Sequence, residues 1–173
     1  APVPNCIMLG VWKSPRGLSR EVKGIDVGKK SNLIFFLHTA DVHHPVTPEQ
    51  RERIGASKRP YELPEIMRYV VHYADGEKVE IPVILEKHID HWLRQSPEPL
   101  PQAQVAATVE VPGLAELGQR QLRGLVYRMN AHRVPDLPTL NAGEVRGVLY
   151  GMQVKNPRPD VKIESIDVVA PSR

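Results

Sequence analysis

The chain has 173 residues, of which 41% are hydrophobic and 25% are charged, and this length suits one domain with a hydrophobic core better than two complete domains. The formal net charge is +3, with basic residues scattered among acidic ones, whereas nucleic-acid binding usually needs a concentrated basic patch. We therefore expect a single domain over residues 1–173 with no nucleic-acid partner, and no apolar run is long enough for membrane insertion.

Proline and cysteine content also limits the fold class. The chain has 17 prolines and one cysteine. Proline fixes φ and has no amide proton, so proline clusters mark loops rather than the interiors of helices or strands. Many short segments separated by proline-rich turns are typical of all-β domains. The single cysteine, Cys6, excludes an internal disulfide.

The first half of the chain predicts short strands between loops. Cys6–Trp12 has the composition of a strand, and Gly24–Gly28 is a short alternating segment that follows a predicted loop. Asn32–Ala40, with the sequence NLIFFLHTA, is almost continuously apolar, which predicts a central strand buried on both faces. A long polar loop follows, and one helical turn is predicted within it at Pro48–Arg53.

Met67–Leu85 carries the clearest local pattern. Apolar residues alternate before and after the dipeptide Asp75–Gly76. Because Asp-Gly readily adopts the positive φ values of a tight turn, the segment predicts a β-hairpin. Pro82 lacks an amide proton, so we expect it at a sheet edge or at a bulge.

The second half predicts three more strands, at Val105–Gly113, Arg146–Pro157 and Val161–Ala170. Between the first two, Leu114–Val134 is ambiguous. Its leucine spacing allows a helix, with Leu114–Arg123 as the best helical piece, but Gly118 and Gly124 weaken a helix and the rest of the segment suits a strand equally well.

Three segments together resemble a known family. GIDVGKKSNLIFFLHTA, YVVHYADGEKVEIPV and VKNPRPDVKIESIDVV are similar, in this order, to segments of the galactose-binding-like modules attached to large secreted bacterial proteins, many of which are carbohydrate-active enzymes. The resemblance covers about half of the chain, and the last segment is the most specific. It implies a jelly-roll β-sandwich with long loops, at most one or two short helices, and an extracytoplasmic location.

One group of polar residues follows the predicted central strand. His38, Asp41, His43 and His44 are of the types that ligate transition metals. In a strand, however, His38 and Asp41 point to opposite faces, and adjacent histidines rarely bind one ion. The alternatives are a metal site and a structural role, of which we favour the structural role. His88 and His91 also have metal-ligand spacing, and a structural role is favoured there too.

Jelly-roll modules often hold a structural calcium ion with carboxylate and carbonyl oxygens. The candidate carboxylates are Asp26, Asp41 and Asp160. No run of alternating aspartates accompanies them, so no cofactor is expected apart from this possible calcium ion.

Sugar binding usually relies on an exposed aromatic ring with polar neighbours. Tyr61 in the long loop and Trp92 are the aromatic candidates, although Trp92 also suits a core position. Arg158 in NPRPD is the polar candidate. A salt bridge from Arg158 to Asp160 that fixes the turn is the alternative, which we favour.

The motifs of nucleophilic, zinc-dependent and nucleotide-dependent catalysis are absent from the sequence. We therefore expect a non-catalytic binding module, with carbohydrate as the first candidate ligand. The main alternative is a structural or protein–protein interaction module that packs against a catalytic domain or subunit of a larger protein. A third and weaker alternative is a metal-binding accessory domain that uses His38, His43 and His44.

Overall fold

A computed structural model of the protein describes residues 18–41, 64–95, 97–111 and 145–171, together with Ile7 and Leu9. These residues form eight β-strands and contain no helix. The strands are β1 Glu21–Lys29, β2 Leu33–His38, β3 Glu65–Tyr73, β4 Lys78–Ile84, β5 Leu93–Gln95, β6 Gln104–Glu110, β7 Val145–Lys155 and β8 Ile163–Val169. The predicted all-β class is confirmed, and the helical pieces predicted at Pro48–Arg53 and Leu114–Arg123 lie outside the described residues.

The first sheet has the strand order β1-β8-β3-β4, and each neighbouring pair is antiparallel. The predicted hairpin is its β3–β4 pair, in which Tyr69 lies opposite Ile81. Gly76 has a φ of 87°, which a residue with a Cβ adopts only at a cost, and this explains the glycine in the turn. Pro82 lies on β4 at the edge of the sheet, as predicted.

The second sheet has the strand order β2-β7-β5, and β6 also pairs with β7. Both β5 and β6 run antiparallel to β7. Two antiparallel sheets are the components of a β-sandwich. The jelly-roll type of connection remains a prediction.

The prediction for Asn32–Ala40 was wrong in one respect. β2 alternates strictly between exposed and buried residues, so that Ile34, Phe36 and His38 are buried while the residues between them are exposed. β2 also lies at the end of its sheet, where its ladder in the described part of the chain is with β7. Among the described strands, a strand at the edge of its sheet with one covered face therefore replaces the predicted central strand.

One boundary near the N-terminus also differs from the prediction, and a second prediction there lies mostly outside the described residues. β1 begins at Glu21, three residues before the alternating segment predicted at Gly24–Gly28. The sequence pattern did not show this start, because two irregularities in the pairing of β1 with β8 break the simple alternation of side chains. Of the strand predicted at Cys6–Trp12, only Ile7 and Leu9 are described, and neither is in a strand.

Contacts within the chain form two compact units. The first contains Ala1–Phe35, Pro64–Leu85 and Gln153–Arg173, and the second contains Phe36–Leu63 and Glu86–Met152. The largest fully buried side chains of the first unit are Tyr73, Leu85, Ile163, Val71 and Val83, and those of the second are Tyr150, Ile89, Leu93 and Val145. The single domain over residues 1–173 remains a prediction.

Candidate functional site

A buried polar cluster lies where β2 ends and the β4–β5 connection passes. His38 is buried, and its Nε2 atom lies 2.9 Å from the carbonyl oxygen of His88. Since a carbonyl oxygen only accepts, Nε2 of His38 carries a proton and donates it there. Burial lowers the pKa of His38, the hydrogen bond to His88 opposes this effect only in part, and the ring is therefore neutral near pH 7.

The β4–β5 connection supplies His88, Asp90 and His91 to the cluster, while Arg94 lies on β5 and Gln102 lies between β5 and β6. Asp90 is fully buried and forms an ion pair with the buried Arg94, and its Oδ1 atom accepts the backbone NH of His91 at 2.7 Å. The Nε2 atom of His88 donates to Oε1 of Gln102 at 2.8 Å. A buried charge must be paired, so this arrangement fixes the course of the connection.

Trp92 follows His91 in the chain and is half-buried. Its backbone NH donates to Ala40 and its carbonyl oxygen accepts the NH of Val148, at 2.8 and 2.7 Å. The His91 ring stacks beside the indole with 6.3 Å between ring centroids. Nε2 of His91 in turn lies 3.4 Å from a carboxylate oxygen of Asp41, whose side chain is 72% exposed.

Two of the four predicted metal ligands, His38 and Asp41, lie among the described residues. His38 bonds the His88 carbonyl while Asp41 faces His91, so these two predicted ligands have different partners. No group of three or more His, Cys, Asp or Glu side chains among the described residues could hold a metal ion. His43 and His44 lie outside the described residues, and the site remains a prediction.

The candidate calcium ligands Asp26, Asp41 and Asp160 are all exposed, and the calcium site also remains a prediction. Tyr61, the aromatic candidate for sugar binding, lies outside the described residues.

Arg158 is held in the first unit, but its partner is not Asp160. Its guanidinium makes two parallel hydrogen bonds to the carboxylate of Asp75 in the β3–β4 turn, at 2.8 and 2.5 Å. Its Cζ atom also lies 5.2 Å from the centre of the Tyr73 ring, within the range of a cation–π interaction. The predicted salt bridge to Asp160 was therefore wrong, because the bond joins two turns that are far apart in sequence.

Asn156 begins the NPRPD segment, and its side chain is held by hydrogen bonds on every side. Its buried Oδ1 atom accepts the hydroxyl of Tyr73 at 2.5 Å and the NH of Arg158 at 3.0 Å. Its amide nitrogen donates to the carbonyl oxygens of Ser31 at 2.7 Å and of Arg158 at 3.3 Å. All the hydrogen-bonding capacity of this buried amide is thus used within the fold, which indicates a structural role.

Sequence reasoning missed an exposed apolar surface on the second sheet. Leu37 on β2, Val109 on β6 and Leu149 on β7 are 68%, 58% and 38% exposed. We call these three residues, with Ala106, the apolar face. The same side of β2 also carries Phe35, which is 66% exposed, and Leu33.

Two glycines of β7 let the apolar face extend across three strands. A Cβ at Gly151 would lie 3.3 Å from Cβ of Ala106 and 3.7 Å from Cδ2 of Leu37. A Cβ at Gly147 would lie only 2.8 Å from Cγ2 of Val109. The side chains of β2 and β6 thus lie across β7 at its glycines, which are on the same side of the strand as Leu149.

A scan of protein-family models and searches of curated proteins and of solved structures found no match to the chain. The resemblance to galactose-binding-like modules therefore remains a prediction. No helix in the described part of the chain is long and apolar enough to cross a membrane.

Proposed function

We propose that the protein is a non-catalytic interaction module that docks onto a partner protein, such as a catalytic domain or subunit, through the apolar face. The observation that carries this proposal is the exposure of Leu37, Val109 and Leu149 on one side of one sheet. Single exposed apolar side chains are ordinary, but several together usually mark an interaction surface.

The chemistry of the apolar face suits a protein partner better than a sugar. Its members are aliphatic and the exposed Phe35 lies two residues from Leu37 on the same side of β2, whereas a sugar site usually combines a planar ring with several polar hydrogen-bonding side chains.

Hydroxyl-radical footprinting tests this proposal by comparing the isolated chain with the native assembly purified from its source. We expect oxidation of Leu37 and Val109 to fall several-fold in the assembly, while the exposed Pro82 on the first sheet stays equally reactive. The double variant Leu37→Gln with Val109→Gln should bind the partner roughly tenfold or more weakly, whereas Lys78→Gln should bind normally. Equal oxidation of the apolar face in both samples would overturn the proposal.

Carbohydrate binding is the second candidate function, and the arrangement of Trp92, His91 and Asp41 favours it. A half-buried indole beside an exposed carboxylate offers a ring face and a hydrogen-bond acceptor to a sugar. For both candidate functions we propose an extracytoplasmic location, which the resemblance to galactose-binding-like modules implies.

Affinity electrophoresis on a panel of polysaccharide gels tests the second candidate. Trp92→Ala should abolish retardation and Asp41→Asn should reduce it, whereas Phe35→Ala, which removes an exposed ring elsewhere, should leave it unchanged. Tyr61→Ala and Arg158→Ala test the other two predicted ligand residues in the same gels. If no polysaccharide retards the protein, or if Trp92→Ala is retarded like the parent protein, this candidate fails.

A further inference from the structure

The β3–β4 turn contains the dipeptide Asp75–Gly76, in which a covalent rearrangement is chemically available. The backbone nitrogen of the residue after an aspartate can attack the side-chain carbon Cγ, and a following glycine offers no Cβ to hinder the attack. Asp75 is 40% exposed, so water has access to the turn. The sequence therefore supplies both reacting groups at one surface position.

The structure holds both of these groups in place. The two carboxylate oxygens of Asp75 bind the two terminal nitrogens of Arg158, and one of them also accepts the NH of Glu77 at 3.3 Å. The nitrogen of Gly76, which would be the nucleophile, donates its proton to the carbonyl oxygen of Tyr73 at 2.9 Å. Each reacting group thus has a partner other than the group with which it would react.

We propose that Asp75–Gly76 is a latent isoaspartate site, which the ion pair with Arg158 keeps closed. In the reaction, the nitrogen of Gly76 forms a bond to Cγ of Asp75, and the C–O bond of the carboxyl group breaks. The amide proton and the hydroxyl group leave as water, which gives a five-membered succinimide. Water then opens the ring at the main-chain carbonyl of Asp75, and the chain continues through the side-chain carbon.

The charge of Arg158 acts on the first step. A carboxyl group loses its hydroxyl as water more readily when it is protonated, and the hydrogen bonds from Arg158 hold the pKa of Asp75 below its usual value. The Tyr73 ring beneath the guanidinium fixes its position. Removing the guanidinium would return protons to the carboxyl group and also free it to rotate towards Gly76.

Isoaspartate would change the hairpin, because it adds one methylene group to the main chain in a turn of fixed length. The pairing of β3 with β4 depends on that turn, in which Tyr73 NH bonds the Glu77 carbonyl oxygen at 2.9 Å. The modified residue would also carry its carboxylate away from Arg158. The rate at which isoaspartate forms at Asp75 therefore measures how well the ion pair with Arg158 holds the β3–β4 turn.

The test ages the full-length chain at mildly acidic pH and measures isoaspartate by isoaspartyl methyltransferase labelling, with peptide mapping to locate it. The parent protein should accumulate isoaspartate at Asp75 far more slowly than a free peptide with the sequence YADGEK. Arg158→Gln should accelerate it several-fold, because the carboxyl group of Asp75 loses the two hydrogen bonds that keep it ionised and fixed in place. Asp75→Glu, which cannot form the five-membered ring, should give no signal at this position.

Tyr73→Phe separates the effect of the ion pair from general loosening of the turn. It removes the hydroxyl bond to Asn156 but leaves Arg158 and Asp75 intact, so its ageing rate should match that of the parent protein. The proposal is overturned if Arg158→Gln ages at the parental rate while circular dichroism shows it folded. It is also overturned if Tyr73→Phe ages as fast as Arg158→Gln, or if the parent protein ages as fast as the peptide.

Discussion

Asp167 shows how a single carboxylate can connect three strands. It lies on β8, its Oδ1 atom accepts the backbone NH of Gly24 on β1 at 2.8 Å, and its Oδ2 atom lies 2.9 Å from Nε2 of His72 on β3. Gly24 has a φ of 70°, and the irregularity in β1 turns its NH towards the carboxylate. The carboxylate of Asp167 therefore accepts the backbone NH of Gly24 at the point where the pairing of β1 with β8 is irregular.

The pH dependence of stability should report this carboxylate. Burial by itself would raise the pKa of Asp167, but the hydrogen bonds from Gly24 and His72 outweigh it and hold the pKa below its usual value. Stability from a lowered carboxyl pKa is present above the unfolded value near 3.9 and is lost as the pH falls through the folded value. Asp167→Asn should therefore cost about 1–3 kcal/mol at pH 7 and much less at an acidic pH below the folded pKa.

Urea denaturation of the two proteins at neutral and acidic pH measures this difference. Asp26→Asn is the matched control, because Asp26 is an exposed aspartate on the neighbouring strand β1, and it should have little effect at either pH. A loss of stability in Asp167→Asn that is equally large at both pH values would show that the charge of the carboxylate does not matter.

At the scale of elements, the β3–β4 hairpin and β2 show two different outcomes of reading a sequence. The hairpin was predicted correctly, because alternation and Asp75–Gly76 are local signals that act within a few residues. The strand β2 was also predicted, but its burial on both faces was wrong, because a continuous run of apolar residues does not show which face is covered. Phe35 and Phe36 are neighbouring residues of the same type, yet Phe35 is exposed and Phe36 is buried.

The conformation of Gly76 gives a prediction for the hairpin. A Cβ at this position would meet no atom within 4 Å, so a substitution is penalised by backbone conformation alone. Gly76→Ala should destabilise the protein by about 1–2 kcal/mol, and Gly76→Asn by less, because asparagine adopts positive φ more easily. Thermal melting measures both, with Lys78→Ala as an exposed control. Equal losses for Ala and Asn would contradict this explanation.

At the scale of the whole molecule, the key contacts join residues that are distant along the chain. His38 and His88 are separated by 50 positions, Asp75 and Arg158 by 83, and Gly24 and Asp167 by 143. Each of the two compact units is assembled from more than one segment of the chain. For this reason the sequence pointed to Arg158 as a turn-fixing residue but named a neighbour, Asp160, instead of its actual partner.

The candidate sites also depend on contacts between distant segments of the chain. Trp92 and Asp41 were each predicted as binding residues, but for different ligands, and only the stacking of His91 shows that they are near one another. The apolar face had no sequence signal, since Leu37, Val109 and Leu149 resemble core residues. A row of aliphatic residues on short strands indicates burial, and only the fold shows that these remain exposed.

The sequence by itself determined the all-β class, the hairpin and most of the strands, because alternation, β-branched residues and turn dipeptides act over a few neighbouring residues. Only the tertiary structure decided which face of β2 is covered, where the guanidinium of Arg158 binds and where aliphatic side chains remain exposed. These outcomes depend on which distant segments come together, and that depends on the free energy of the whole chain rather than on any local preference.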